Sequence, residues 1–430
     1  MKYLIKNAKI IDPSSKLDGK FDILISGSKI AKIAEKITDK AEKTIDAEGK
    51  TALPGFVDIH VHFRQPGYEA KETILTGSRC AVKGGFTHVL MMPNTRPPID
   101  CEKVITEVNR IIGKDSINNV YIASAITKKR EGKELSDFGA YKKLGIKAIS
   151  DDGDSIADEK IMELALKTAK KEDLLVISHC EDRKLSANGV MNEGFISSKL
   201  GLNGMPKSAE YKIVQRDIEL AKKTGAKLHI AHVSCKESCE IIKKAKKEGV
   251  KVTAETAPHY FALTEENCQT YDTRTKMSPP LRTQKDVEFI KKSLADGTLD
   301  AIATDHAPHG FHDKYVEFDR AEFGIIGLET ALSVTIMELI EKKIITWQKL
   351  VDLMSTNPAK ILGITPPRIK EGADADITII DASKEWKMFA EDVVSKSKNS
   401  PFLKKPLRGF VEYVFVGGKL KLAEGKLLRC

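Results

Sequence analysis

A chain of 430 residues with 41% hydrophobic side chains can bury two domains, or one large barrel with an appendage. Its formal charge of +9, from 70 Lys and Arg against 61 Asp and Glu, comes with 6% aromatic residues and no dense basic block. That excludes an obvious nucleic-acid surface and leaves a lysine-rich exterior that suits small anionic substrates.

In chain order, the N-terminal stretch is interrupted by Lys6 before a signal-peptide core forms, and no apolar run reaches membrane-spanning length. Seven cysteines with no Cys-x-x-Cys fit a reducing cytoplasm. Residues 1–52 read as short β-branched pieces, Tyr3-Leu4-Ile5, Lys9-Ile10-Ile11, Asp22–Ile25 and Lys29–Ile33, broken by Pro13, Gly19 and Gly27. The far end behaves alike, with strands expected at Asp376–Ile380 and around Gly409–Gly418. Neither end makes a sheet core alone, so 1–52 and 363–430 are expected to form one small β domain. Residues 53–362 alternate strand and helix. Strands are expected at Val57–Phe63, Thr87–Met92, Asn119–Ala125, Ile146–Ser150, Leu174–Ser178, Lys227–Ala231, Val250–Ala254 and Leu299–Ala303. Helical segments fall at 101–113, 155–171, 208–224, 234–248 and 284–296. Eight such units predict an α/β fold, a parallel (β/α)8 TIM barrel.

Chemistry in such barrels sits at the C-terminal strand ends. The first strand carries His60, His62 and Arg64 at period two, which predicts one shared face. Two imidazoles so spaced can grip one metal ion, and Arg64 can hold an anion beside it. Later tips read Met92-Pro93-Asn94-Thr95, Ser150-Asp151-Asp152-Gly153, Ser178-His179-Cys180-Glu181, Ala231-His232, Glu255-Thr256-Ala257-Pro258-His259 and Thr304-Asp305-His306-Ala307-Pro308-His309. Only the third strand lacks a notable polar tip. Four histidines and two carboxylates at matching ends point to a hydrolytic metal centre. Zinc suits nitrogen and oxygen donors best, and manganese, cobalt or iron also fit. His88 and His229 lie outside the tips and read as structural, as does Lys147.

These motifs, with Gly55–Arg64, His179-Cys180-Glu181-Asp182 and Pro279-Pro280-Leu281-Arg282, resemble the amidohydrolase superfamily and, within it, the type I bacterial dihydroorotases, over nearly the full chain. The resemblance implies that His60, His62 and Asp305 bind a first metal, that His179 and His232 bind a second, and that Asp152 bridges them. Asp151 remains the alternative bridge. One or two Zn²⁺ per subunit are implied. Substrate contacts would come from His62, Arg64, Asn94, His309 and the backbone of Phe323 and Gly324. Ser278 stands where the family usually has Asn, which changes the ring contact. Glu255 and His259 are expected behind the metal ligands. The implied reaction is the reversible cyclisation of carbamoyl-aspartate to dihydroorotate, with Asp305 as proton shuttle. A homodimer and an association with aspartate carbamoyltransferase are also implied. One alternative is a hydantoinase, dihydropyrimidinase or allantoinase, but the lysine such enzymes carry at the fourth tip is missing. Another is a non-catalytic scaffold. The stretch Gly310–Phe318 reads equally as a lid or an ordinary loop.

Overall fold

The computed structural model describes residues 1–428. Among these, eight parallel strands form one sheet: β1 (Phe56–Val61), β2 (Phe86–Met91), β3 (Asn119–Ser124), β4 (Ala148–Ser150), β5 (Leu175–Ser178), β6 (Leu228–Ile230), β7 (Val252–Thr256) and β8 (Ala301–Ile302). They follow one another in sequential order. A parallel bridge from Val61 to His306 joins the first strand to the segment after the last, and His62 N donates to the His306 carbonyl at 2.9 Å. The sheet thereby curls into the expected barrel.

Parallel strands covered by helices are buried on both faces and read as continuous apolar runs. Every residue of β1 and β2 is buried accordingly. A cluster of Val57, Ile59, Leu90, Ala123, Ala148, Leu175, Ile177 and Ala301 draws on six of the eight strands, as a filled barrel interior requires. The expected helices are present at Glu102–Asp115, Glu159–Lys171, Ser208–Thr224, Lys236–Lys247 and Gln284–Asp296. The second starts later than 155 because the Asp158 carboxylate takes the amides of Lys160 and Ile161, which fixes the first turn.

The second sheet takes strands from both ends of the chain. Its order is Lys426–Leu427, Lys419–Ala423, Pro406–Val416, Ile377–Lys387, Thr51–Pro54, Lys2–Asp12, Leu17–Ser26, Lys29–Ala34, with Lys43–Asp46 pairing parallel to Lys2–Asp12. Its core holds Tyr3, Ile5, Ile10, Ile23, Ile377, Ile379 and Phe415. One local expectation is corrected. Tyr3–Ile5 and Lys9–Ile11 are a single strand, Lys2–Asp12. Asn7, at φ 61°, sits in a register shift between Ile5 and Ala8 that lets pairing resume beyond it.

Candidate metal centre and substrate pocket

The tips of the barrel strands converge on Asp152. Its Oδ1 stands 3.3 Å from His60 Nε2, 3.5 Å from His179 Nδ1 and 3.5 Å from His232 Nε2, and its Oδ2 stands 3.5 Å from His62 Nε2. Asp305 Oδ1 is 3.0 Å from His62 Nε2 and 3.6 Å from His60 Nε2. All six side chains are buried. Two donor atoms about 2.1 Å from one ion at a tetrahedral angle stand roughly 3.4 Å apart, so these spacings suit shared coordination. His60, Asp152 and His232 form one candidate group, and His60, His62 and Asp305 a second. His60 Nε2 and Asp152 Oδ1 have no hydrogen-bond partner although both are buried. Such orphaned atoms on facing nitrogen and oxygen donors are what a cation site leaves on its ligands.

The far nitrogens of three of the histidines are engaged. His60 Nδ1–H donates to Glu255 Oε1 at 2.7 Å, His179 Nε2–H to Glu181 Oε2 at 3.1 Å, and His62 Nδ1–H to Asn94 Oδ1 at 2.8 Å. Each turns the other nitrogen toward the centre. His229, expected to be structural only, lies 3.2 Å behind Glu255 and so backs the support of His60. Charge follows the same pattern. Burial pushes the His60 imidazole down, but Asp152, Glu255 and Asp305 outweigh it and raise its pKa well above the usual range. His179 is likewise lowered by burial and raised by Asp152 and Glu181, to about 9. Burial raises the Asp152 carboxyl, yet His60, His179 and His232 hold it well below the usual carboxylate range. This is a strongly cation-attracting centre.

The two aspartates of the fourth tip separate cleanly. Asp151 is taken up by Thr127, whose N donates at 3.0 Å and whose Oγ1 donates at 2.5 Å. Asp152 faces the histidines. Thr127 follows β3, so the tip with no evident polar residue in sequence supplies the group that turns Asp151 away. Gly153, at φ 84°, is required beside them: a Cβ there would stand 3.1 Å from Arg130 Nη2 and 3.3 Å from Asn94 Nδ2. Arg130 donates to the Asp152 carbonyl at 2.7 Å and holds the loop.

A cavity of about 360 Å³ opens above the centre. It is lined by His62, Arg64, Asn94, Asp152, His179, His232, Ser278, Asp305, His309, Phe323 and Gly324. Every proposed substrate contact therefore meets five of the six proposed ligands in one space, with His60 buried beneath it. Arg64 arrives there differently from expectation. β1 ends at Val61, and Arg64 sits at φ 61°, so a left-handed turn rather than strand alternation carries it in. His232 and Asp305 share this backbone state, at φ 36° and φ 47°. Strain of this kind costs about 1–3 kcal/mol per residue and persists where surrounding structure holds a site in place.

Four other residues act on the site without signalling it in sequence. Asp58 accepts from Thr304 Oγ1 at 2.6 Å and from His60 N at 3.0 Å, locking the first tip to the last. Asn399 accepts from His309 N at 3.2 Å and donates to the carbonyls of Ala307 and Gly324 at 3.0 and 3.1 Å. Lys71 and Glu181 touch His309 and His179. Asp58 and Glu181 lie inside motifs quoted from the sequence, whereas Asn399 and Lys71 carried no pattern. His259 is buried with Nε2 unpartnered, among the described residues, and Lys147 is exposed at the start of its strand. The stretch after β8 forms a short helix, Phe311–Lys314.

Comparison with known proteins places the chain. A family described as dihydro-orotase-like matches residues 49–238. A dihydroorotase of Elusimicrobium minutum is 57% identical over 99% of both chains. The chain belongs to the dihydroorotase family. A dihydroorotase of Caldanaerobacter subterraneus subsp. tengcongensis is 49% identical over 99% of this chain and 98% of its own. The L-hydantoinase of Arthrobacter aurescens superimposes with a TM-score of 0.88 over 99% of this chain and 97% of its own, at 24% identity, which shows a shared fold. The hydantoinase alternative thus shares the architecture, while the sequence sides with dihydroorotases.

Proposed function

We propose that this chain interconverts N-carbamoyl-L-aspartate and (S)-dihydroorotate plus water, a step of pyrimidine biosynthesis leading to UMP, in the cytoplasm and with zinc at the His/Asp centre. The observation that carries the proposal is the convergence of His60, His62, His179, His232 and Asp305 on Asp152, next to Arg64 and His309. The dihydroorotase relatives at 57% and 49% identity support the substrate. A scaffold role fits poorly with a complete and preorganised donor set.

His60, His62 and Asp305 would hold one ion, His179 and His232 a second, with Asp152 between them. When bound, such an ion supplies Lewis acidity toward the ring amide carbonyl and makes a nucleophilic oxygen available near neutral pH. The chain's own residues do the rest. Arg64 offers its planar fork to the substrate carboxylate, joined by His309 and by the amide N–H of Asn94, whose oxygen is committed to His62. Phe323 and Gly324 present backbone groups to the ring, and the Ser278 hydroxyl faces it with a shorter reach than asparagine. Fixing the ring by its carboxylate aligns the amide with the centre, which a ring-closing reaction needs. Asp305 Oδ would take the proton from the nucleophile and deliver it to the departing ring nitrogen. Burial raises the Asp305 carboxyl, but His62, His60 and His232 bring it below the usual range, so it enters the reaction ionised.

The test is ring opening of dihydroorotate by purified protein, with chelator and then with added zinc. Activity should vanish and return, and neutral dihydrouracil should be a poor substrate at equal metal loading. Chelator-insensitive turnover, or preference for the neutral ring, refutes the proposal.

A further inference from the structure

His309 stands between two cations. Arg64 Nη2 is 3.2 Å from its Nε2, and Lys71 Nζ is 3.3 Å from its Nδ1. Neither a guanidinium nor an ammonium can accept a hydrogen bond. Burial first, then Arg64, Lys71 and Lys314, push the His309 pKa well below the usual imidazole range, so near pH 7 the ring is neutral and carries one N–H. One nitrogen therefore accepts from its cation, and the other turns an N–H toward its neighbour. Which nitrogen is which decides what the pocket offers a ligand.

Two observations choose. On the Nδ1 side the carboxylate at hand is Asp313, whose Oδ2 is 3.7 Å away, beyond hydrogen-bond reach. The same oxygen takes Lys71 Nζ at 3.1 Å, which holds that ammonium in place against the ring. Both point to a bare Nδ1 and a protonated Nε2.

We propose that Lys71 is a positioning residue: it donates to His309 Nδ1, holds the proton on Nε2, and so aims that N–H together with Arg64 at a single anionic group in the pocket. The proposal rests on reading that pocket as the carboxylate site of dihydroorotate. Two donors 3.2 Å apart repel unless an acceptor is shared between them, and an anionic oxygen relieves this. A neutral ring substituent relieves it far less, so the arrangement discriminates by charge. Lys71 lies in the loop after β1 and Asp313 in the helix Phe311–Lys314, so one ammonium also ties together two loops that flank the pocket.

The test reads the His309 tautomer directly. Zinc-loaded protein labelled with ¹⁵N-histidine is examined by long-range ¹H–¹⁵N correlation, with His309 assigned by the signals missing in His309→Asn. Wild type should show Nε2 protonated and Nδ1 bare. A protonated Nδ1 overturns the proposal, even if no Lys71 variant folds. In Lys71→Met the ring should shift toward a tautomer mixture. KM for dihydroorotate should rise roughly tenfold with kcat within about twofold, and Lys71→Arg should restore both. An unchanged ring pattern in Lys71→Met also overturns it. The spectrum does not depend on turnover. If wild type fails to open dihydroorotate, the carboxylate reading falls, while the tautomer still decides the role of Lys71.

Discussion

Asp151 and Asp152 show how far residue identity alone can be read. Both are carboxylates at one strand tip, and their spacing leaves either able to face the centre. What separates them is Thr127, 24 positions earlier, whose amide and hydroxyl occupy Asp151. The contact is long-range and depends on β3 lying beside β4, so no local pattern could announce it. The histidines were legible because their tips recur in step with the strands. Glu255 and Glu181, which hydrogen-bond the far nitrogens of His60 and His179, lie in the same tips but look like any buried or surface glutamate until the partner ring is placed. Asp305 is where residue-scale chemistry is most exposed to test. Its carboxylate touches His62 Nε2 at 3.0 Å and lines the pocket. Replacing it with alanine should lower kcat by about 10²- to 10⁴-fold, the usual worth of a positioned acid–base group. Dihydroorotate should still bind, since Arg64, Asn94 and His309 remain. Calorimetric titration alongside turnover separates the two effects, and near-normal kcat in Asp305→Ala removes it from proton transfer.

At the scale of elements, strands and long helices were readable because each repeats its apolar spacing over several residues. The places that escaped are irregular. Arg64 enters through a left-handed turn, and Asn7 shifts register inside what looked like two strands. The segment between the strands Ile377–Lys387 and Pro406–Val416 escaped for a different reason. It lies in the C-terminal part of the chain, far from any barrel motif. Yet Ser395 Oγ donates to the buried Glu72, Ser397 Oγ donates to the Lys71 carbonyl at 2.7 Å, and Asn399 joins Ala307, His309 and Gly324. The connection is thus a strap across the catalytic end of the barrel. The Asn399 side chain makes all three of its bonds to backbone, at Ala307, His309 and Gly324, and the last two are proposed substrate contacts. Asn399→Ala would leave those groups buried and unpaired, at a cost of about 1–3 kcal/mol. The variant should melt lower and show a larger rise in KM than fall in kcat, because it loosens Gly324 and His309 without touching the metal ligands. A variant that loses only stability, with KM unchanged, would reduce the strap to a structural brace.

At the scale of the whole molecule, the two sheets meet along a short seam whose bonds run from backbone to backbone and from hydroxyl to backbone. Thr51–Pro54 pairs with Ile377–Ile380 and leads directly into β1. Gly55 N donates to the Asp376 carbonyl at 2.9 Å, Thr378 Oγ1 to the Gly85 carbonyl at 2.7 Å, and Ser355 Oγ to the Gly55 carbonyl at 2.8 Å. The first barrel strand is therefore anchored at its start by the C-terminal part of the chain. Asp376 sits in this seam, 6% exposed, with one carboxylate oxygen accepting from Gly417 N at 2.9 Å. Burial, aided by Asp374, raises its pKa from 3.8 to about 6. Between those values the folded chain holds a proton that the unfolded chain has released. Stability therefore falls as pH climbs from about 4 to about 6, and above that the buried charge costs on the order of 3 kcal/mol. Asp376→Asn keeps an oxygen for Gly417 and carries no charge. Its melting temperature relative to wild type should rise across pH 4 to 6.5 and level off above, when both proteins are melted in matched buffers. A difference that stays flat over that range would mean the seam does not desolvate Asp376, and that the two sheets are less tightly joined there than their shared hydrogen bonds indicate.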